Sequence, residues 1–183
     1  MTETATGRLP GDPTARQIVE RMIRVDHAGE YGAKRIYQGQ LAVLGRGDKA
    51  ELLRHMQAQE QAHLDTFANM IARRRVRPTA LLPLWHVAGF ALGAVTAAMG
   101  ERAAMACTVA VEEAIDEHYA SQTAELGDDE APLRETIETF RAEELEHRDI
   151  GLDHGAEQFS GYRLLSRVIK AGCRIAIAAS ERI

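Results

Sequence analysis

The chain has 183 residues, is 45% hydrophobic and 27% charged, and carries a formal net charge of -5. That length accommodates one domain with a sizeable core, and the mild acidity argues against a nucleic-acid-binding surface. Two widely separated cysteines, Cys107 and Cys173, imply no disulfide framework, and MTETATGRLPGDPTAR at the start lacks the apolar stretch of a secretory signal. Residues 1–12 are expected to be flexible.

Asp12 and Pro13 predict an N-cap and first helical position, opening a helix that runs to about Leu44 and stops at Gly45. Asp48 with Glu51 predicts a capping box for a second helix, to about Arg74. Residues 79–99 follow, with no Asp, Glu, Lys or Arg. Pro83, the glycines and His86 argue against a simple spanning helix. The segment is expected to be a buried crossover between two helix pairs or, the reading preferred here, a crossover that dips into a membrane interface. A third helix is predicted from about Glu101 to Leu126, a fourth from about Ala131 to Gln158, and a last one from about Tyr162 to Glu181. No alternating strand pattern appears, so the predicted class is all-α in a single domain.

Residues recurring at three- and four-residue steps mark the inward faces. They read Val19, Ile23, Asp26, Glu30, Ala33, Tyr37 in the first helix and Leu52, Met56, Glu60, His63, Phe67 in the second. The third reads Met105, Thr108, Glu112, Ile115, Tyr119, and the fourth Leu133, Ile137, Phe140, Glu144, His147, Gly151, His154. Each seam carries one glutamate, and the second half repeats the ligand-type residues of the first at an offset of 82 to 84. Glu113, Glu143 and Glu146 fall off the seams and read as solvated groups or outer partners. His27, His55, His86 and His118 read as hydrogen-bonding or surface residues.

Four carboxylates in one core cost too much unneutralised, and the seams offer no matching cations. Two Glu-x-x-His steps, Glu60/His63 and Glu144/His147, plus single glutamates Glu30 and Glu112, form the ligand set of ferritin-like dimetal bundles. A single Glu-x-x-His is common on solvated helices; two copies on apolar seams, each preceded by another seam glutamate, are not. The oxygen-rich set suits iron or manganese better than zinc. Asp26, Tyr119 and His154 are candidate outer partners that orient the ligands. The expected architecture is a ferritin-like four-helix bundle with a long apolar crossover and an extra C-terminal amphipathic helix over 160–183. In that helix Arg163, Arg167, Lys170 and Arg174 line one stripe, a pattern that suits an anionic membrane surface or packing on the bundle.

Five stretches carry a family resemblance: RVDHAGEYGAKRIYQGQLAVLG (24–45), RVRPTALLPLWHVAGFALGA (75–94), AMACTVAVEEAIDEHY (104–119), EELEHRDIGLDH (143–154) and AGCRIAIAASERI (171–183). Together they resemble the demethoxyubiquinone hydroxylases over nearly the whole chain. The resemblance implies a di-iron monooxygenase of ubiquinone biosynthesis, with metal ligands at Glu30, Glu60, His63, Glu112, Glu144 and His147. It implies a polyprenyl benzoquinone or quinol substrate, dioxygen, and electrons from NADH or the quinol itself. A peripheral position is implied at the cytoplasmic face of the cell membrane in a bacterium, or the matrix face of the mitochondrial inner membrane in a eukaryote. A homodimer and an accessory lipid-binding protein are further expectations. Two alternatives stand beside this reading: a ferritin-like ferroxidase or peroxidase, and a non-enzymatic quinone- or lipid-binding bundle.

Overall fold

In the computed structural model, residues 11–47 and 49–183 are described. Helix α1 spans Ala15–Leu44 and begins later than predicted. Its N-cap is Thr14 rather than Asp12: the Thr14 hydroxyl accepts from the Gln17 amide at 3.2 Å, and the Gln17 side chain accepts from the Thr14 amide at 2.8 Å. This reciprocal pair satisfies two otherwise orphaned donors. The expected box at Asp48 falls outside the described residues, as do residues 1–10 of the 1–12 segment expected to be flexible.

Helix α2 is Ala50–Arg74, and α3 is Leu82–Ala98. The apolar segment is thus one continuous helix, with Pro83 in its first turn, where a missing N–H breaks no hydrogen bond. Among the described residues no helix is long and apolar enough to cross a membrane. Helix α4 is Glu101–Glu125, α5 is Ala131–Asp153 and α6 is Tyr162–Ser180. Helix α5 stops short of the predicted Gln158. Gly155 takes a left-handed φ of 85°, and Ala156–Gln158 form a separate 3-10 turn. No strand occurs among the described residues, and the architecture is all-α and ferritin-like.

Two helical hairpins, α1/α2 and α4/α5, build the bundle; α3 lies along α1 and α6 along α4. Helix α4 is therefore covered on several sides, and Ala103 through Glu112 are buried without interruption. Close approach of α3 to α1 depends on glycine. A Cβ at Gly93 would lie 1.9 Å from the Ile36 carbonyl oxygen, and one at Gly39 2.1 Å from that of Phe90. These glycines let two backbones touch, a role that reading Gly93 only against a spanning helix missed.

The core has an ordered sequence of layers. Val19, Ile23, Phe67, Tyr119, Leu133 and Ile137 form one apolar cluster. Tyr37, Leu53, Met56, Met105 and Val109 form another. On every bundle helix the seam glutamate falls between its contributions to these two clusters, so a polar layer is sealed by apolar layers on both sides.

Candidate metal centre

The polar layer takes Glu30 from α1, Glu60 and His63 from α2, Glu112 from α4, and Glu144 and His147 from α5. All six are at most 1% exposed. Their ligand-type atoms form two groups, each with every atom within 4.8 Å of the others: Glu30, Glu60, His63, Glu144, and Glu60, Glu112, Glu144, His147. Glu60 and Glu144 belong to both groups, so they stand where two cations would share them. Glu30 and Glu112 each belong to one.

Both imidazoles face the centre through Nδ1. His63 Nδ1 lies 3.1 Å from Glu144 Oε1 and 3.5 Å from Glu30 Oε2; His147 Nδ1 lies 3.2 Å from both Glu144 Oε2 and Glu60 Oε1. The outward nitrogens have their own partners. His63 Nε2 meets Glu143 Oε2 at 2.5 Å, and His147 Nε2 meets the Gln59 side-chain oxygen at 3.0 Å. Phe140 stacks on the His63 ring with centroids 3.9 Å apart. Ring orientation and tautomer are thus set from outside the centre.

Carboxylate orientation is set reciprocally as well. Tyr37 on α1 donates to Glu112 on α4 at 2.8 Å, and Tyr119 on α4 donates back to Glu30 on α1. Behind Tyr119, Asp26 accepts from Gln122 at 2.7 Å and lies 3.4 Å from His118 Nε2. His154 is placed at the end of α5, its Nδ1 2.8 Å from the Ile150 carbonyl. Sequence reasoning assigned no partner role to Tyr37 or Gln59. The signal was present: Tyr37 follows Glu30, and Tyr119 follows Glu112, by the same two helical turns.

Protein groups alone leave the centre unbalanced. Burial, reinforced by neighbouring Glu144, pushes Glu60 and Glu112 well above the ordinary carboxylate range, and burial also raises Glu30. Burial opposes ionisation of Glu144 and His63 too, but hydrogen bonds win: those from His147 and His63 for Glu144, and those to Glu144 and Glu30 for His63. Glu144 is held down at about 2 and His63 up at about 11. Among the described residues, both oxygens of Glu60, and one each of Glu30 and Glu112, have no hydrogen-bond partner. Unpartnered carboxylate oxygens converging beside two Nδ1 atoms fit a pair of carboxylate-preferring divalent or trivalent ions.

A pH dependence follows. In metal-stripped protein the raised carboxyls of Glu30, Glu60 and Glu112 contribute stability below their ordinary 4.5, lost as pH rises through their folded values. His63 contributes fully below 6.5 and loses that contribution as pH rises through about 11. Glu144 has the opposite sign, but its change lies between 4.5 and about 2. The stripped chain therefore weakens with rising pH across the neutral range, while metal affinity rises as ligands shed protons. The gain in Tm on ferrous loading is expected to be larger at about pH 8 than at about pH 6. An equal gain at both would contradict the ligand set.

Glu113, next in sequence to Glu112, turns away and pairs with Lys170 on α6. Glu113→Ala is expected to keep full iron content and to lose at most about 1 kcal/mol, as for a part-exposed ion pair. Metal analysis with thermal unfolding checks this, and loss of iron would mean that the wrong glutamate was chosen.

The sequence is also similar to known proteins. The family described as "Ubiquinone biosynthesis protein COQ7" matches residues 17–180. A 3-demethoxyubiquinol 3-hydroxylase of Rhodospirillum rubrum is 62% identical over 182 residues, covering 99% of this chain and 86% of that protein. The mitochondrial NADPH-dependent 3-demethoxyubiquinone 3-hydroxylase of Homo sapiens is 53% identical over 176 residues, covering 94% of this chain and 81% of that protein. The mitochondrial 5-demethoxyubiquinone hydroxylase of Saccharomyces cerevisiae is 41% identical over 183 residues, covering 91% and 78% respectively.

Proposed function

The chain belongs to the ubiquinone biosynthesis protein COQ7 family, and from that premise we propose how its buried polar layer serves the reaction. The protein is a di-iron monooxygenase acting on demethoxyubiquinone in ubiquinone biosynthesis. One observation carries the structural side of this reading: two overlapping groups of buried carboxylates and imidazoles share Glu60 and Glu144.

In the proposed arrangement Glu30 and His63 would hold one iron and Glu112 and His147 the other, with Glu60 and Glu144 within reach of both. Bound there, an iron pair would supply dioxygen activation for a hydroxylation in which one oxygen atom enters the ring C–H bond and the other leaves as water, with two electrons and two protons drawn from a reductant and solvent. The reductant is a reduced nicotinamide or the quinol form of the substrate. The chain supplies the setting. Tyr37 and Tyr119 fix the outer carboxylates, Glu143 and Gln59 fix the imidazole rings, and the two apolar layers keep bulk water out.

The substrate carries a long apolar tail, and α3 and α6 are the surfaces that suit it. Leu84, Val87 and Val95 on α3 and Met99 at its C-cap are more than half exposed, as are Leu164, Val168 and Ile175 on α6. The two helices meet where Trp85 Nε1 donates to Ser180 Oγ at 3.1 Å, and just outside them the Ala80 amide donates to the Ile183 carbonyl at 3.2 Å. These side chains dock the protein on a membrane surface, at the cytoplasmic face in a bacterium or the matrix face in a mitochondrion. Each buried methylene contributes about 0.8 kcal/mol, and Arg163 and Arg167 lie on the same helix to meet anionic headgroups. Leu164→Glu with Val168→Glu is expected to abolish flotation with anionic vesicles while iron content stays intact. Unchanged flotation would remove α6 from the docking surface.

The function is tested by supplying iron-loaded protein with a short-tailed demethoxyubiquinone analogue, reductant and air. Hydroxylated quinone formed in proportion to bound iron supports the reading. Peroxide consumption or iron oxidation with unmodified quinone would favour a ferroxidase or peroxidase instead.

A further inference from the structure

The internal repeat extends beyond the ligands, and it breaks at informative places. Tyr37 and Tyr119 are equivalent, and so are Gln40 and Gln122, each pair separated by the 82 residues that separate Glu30 from Glu112. Gln40 Nε2 reaches the Thr108 hydroxyl at 3.4 Å, whereas Gln122 Nε2 reaches Asp26 at 2.7 Å. Thr108 and Asp26 are therefore counterparts, one turn before Glu112 and Glu30 respectively. Gln59 and Glu143 are counterparts as well, separated by the 84 residues that separate Glu60 from Glu144.

Each member of the Gln59/Glu143 pair reaches across the bundle to the other motif's histidine. His147 therefore donates to a neutral amide oxygen at 3.0 Å, and His63 donates to a carboxylate at 2.5 Å. Both breaks put the added carboxyl at the same end. Glu143 touches His63, and Asp26 lies one turn before Glu30 on α1. A carboxylate accepting the outer N–H of a ligating imidazole makes that ring a stronger donor than an amide does. Glu143 is 38% exposed, so it keeps its contact with solvent while its oxygen holds the buried ring.

We propose that Glu143 is a positioning residue that makes the two metal positions unequal, so that the position bounded by Glu30, Glu60, His63 and Glu144 is the more electron-rich and fills first. The inference rests on the di-iron reading above and concerns how the two ions differ within it.

The test is anaerobic titration of the full chain with iron-57 as ferrous ion, followed by Mössbauer spectroscopy at sub-stoichiometric and full loading. The parent chain is expected to show one ferrous signal at low loading and a second only as loading approaches completion. Glu143→Gln gives both imidazoles an amide as outer partner. It is expected to weaken binding of the first ion by about 10- to 100-fold and to make both signals grow together. Glu143→Asp, which keeps the carboxylate, is expected to restore the order of filling, as a purely structural role for the side chain would not require. Gln59→Glu is expected to remove the order from the opposite side. Unchanged order in Glu143→Gln, or loss of both ions together, would overturn the proposal. Simultaneous filling in the parent would overturn it too while leaving the di-iron site standing. Failure of the parent to bind two ions would instead refute the reading on which it rests.

Discussion

Glu144→Ala abolishes both iron binding and quinone hydroxylation: this is the largest functional effect expected of any single substitution here. Glu144 is fully buried, and each of its oxygens faces a different imidazole, Oε1 at 3.1 Å from His63 Nδ1 and Oε2 at 3.2 Å from His147 Nδ1. It belongs to both ligand groups. Removing it would take a proposed ligand from each position and the acceptor from two buried histidines. Loss of an outer partner alone costs about 10- to 100-fold in metal affinity, so loss of a shared ligand exceeds that range. Glu144→Gln keeps the shape and removes the charge. It is expected to fold, by circular dichroism, and still to hold no iron pair. Iron analysis beside product assay decides the matter, and a variant that keeps two irons and turns over would refute the assignment.

The largest expected effect on stability comes from Gly93→Ala. The new Cβ would lie 1.9 Å from the Ile36 oxygen, 2.8 Å from its carbonyl carbon and 3.0 Å from the Gln40 nitrogen. All three are backbone atoms of α1, so no rotamer change relieves the overlap and the two helices must separate. Overpacking of this kind costs about 3 kcal/mol, which corresponds to a fall in Tm of roughly 6–12 °C for a chain of this size. The stretch that is pushed contains Tyr37, the donor to Glu112, so metal affinity falls with stability. Gly172→Ala in α6 is the control. Its Cβ meets nothing within 4 Å, and the exchange is expected to be neutral or stabilising by roughly 0.5–1 kcal/mol. Equal Tm values for Gly93→Ala and the parent would show that α1 and α3 are not packed through their glycines.

The convergence of the six buried glutamates and histidines was legible because helical spacing and burial cost act together. A glutamate on an apolar seam must be neutralised, and three-residue steps bring glutamate and histidine to one face. The partners of those ligands were less legible. Gln59 and Glu143 sit off the seams and reach sideways to a neighbouring helix, a direction that periodicity within one helix does not encode. The all-round burial of α4 was hidden for a related reason. A single seam was read where α1, α3, α5 and α6 each cover part of the helix. The glycines at 89 and 93 are ambiguous by nature, since the same residue weakens an isolated helix and permits close contact in a packed one. The early end of α5 depended on the left-handed backbone of Gly155, three residues before the end chosen by pattern.

The most direct test of the central claim is a single turnover. Protein loaded anaerobically with ferrous iron and freed of excess metal is mixed with demethoxyubiquinol analogue and then with labelled dioxygen. The two ligand groups lead to the expectation of one labelled oxygen in the hydroxylated ring for each iron pair, and none in Glu144→Gln. Oxidised iron beside unlabelled, unhydroxylated quinone would contradict it.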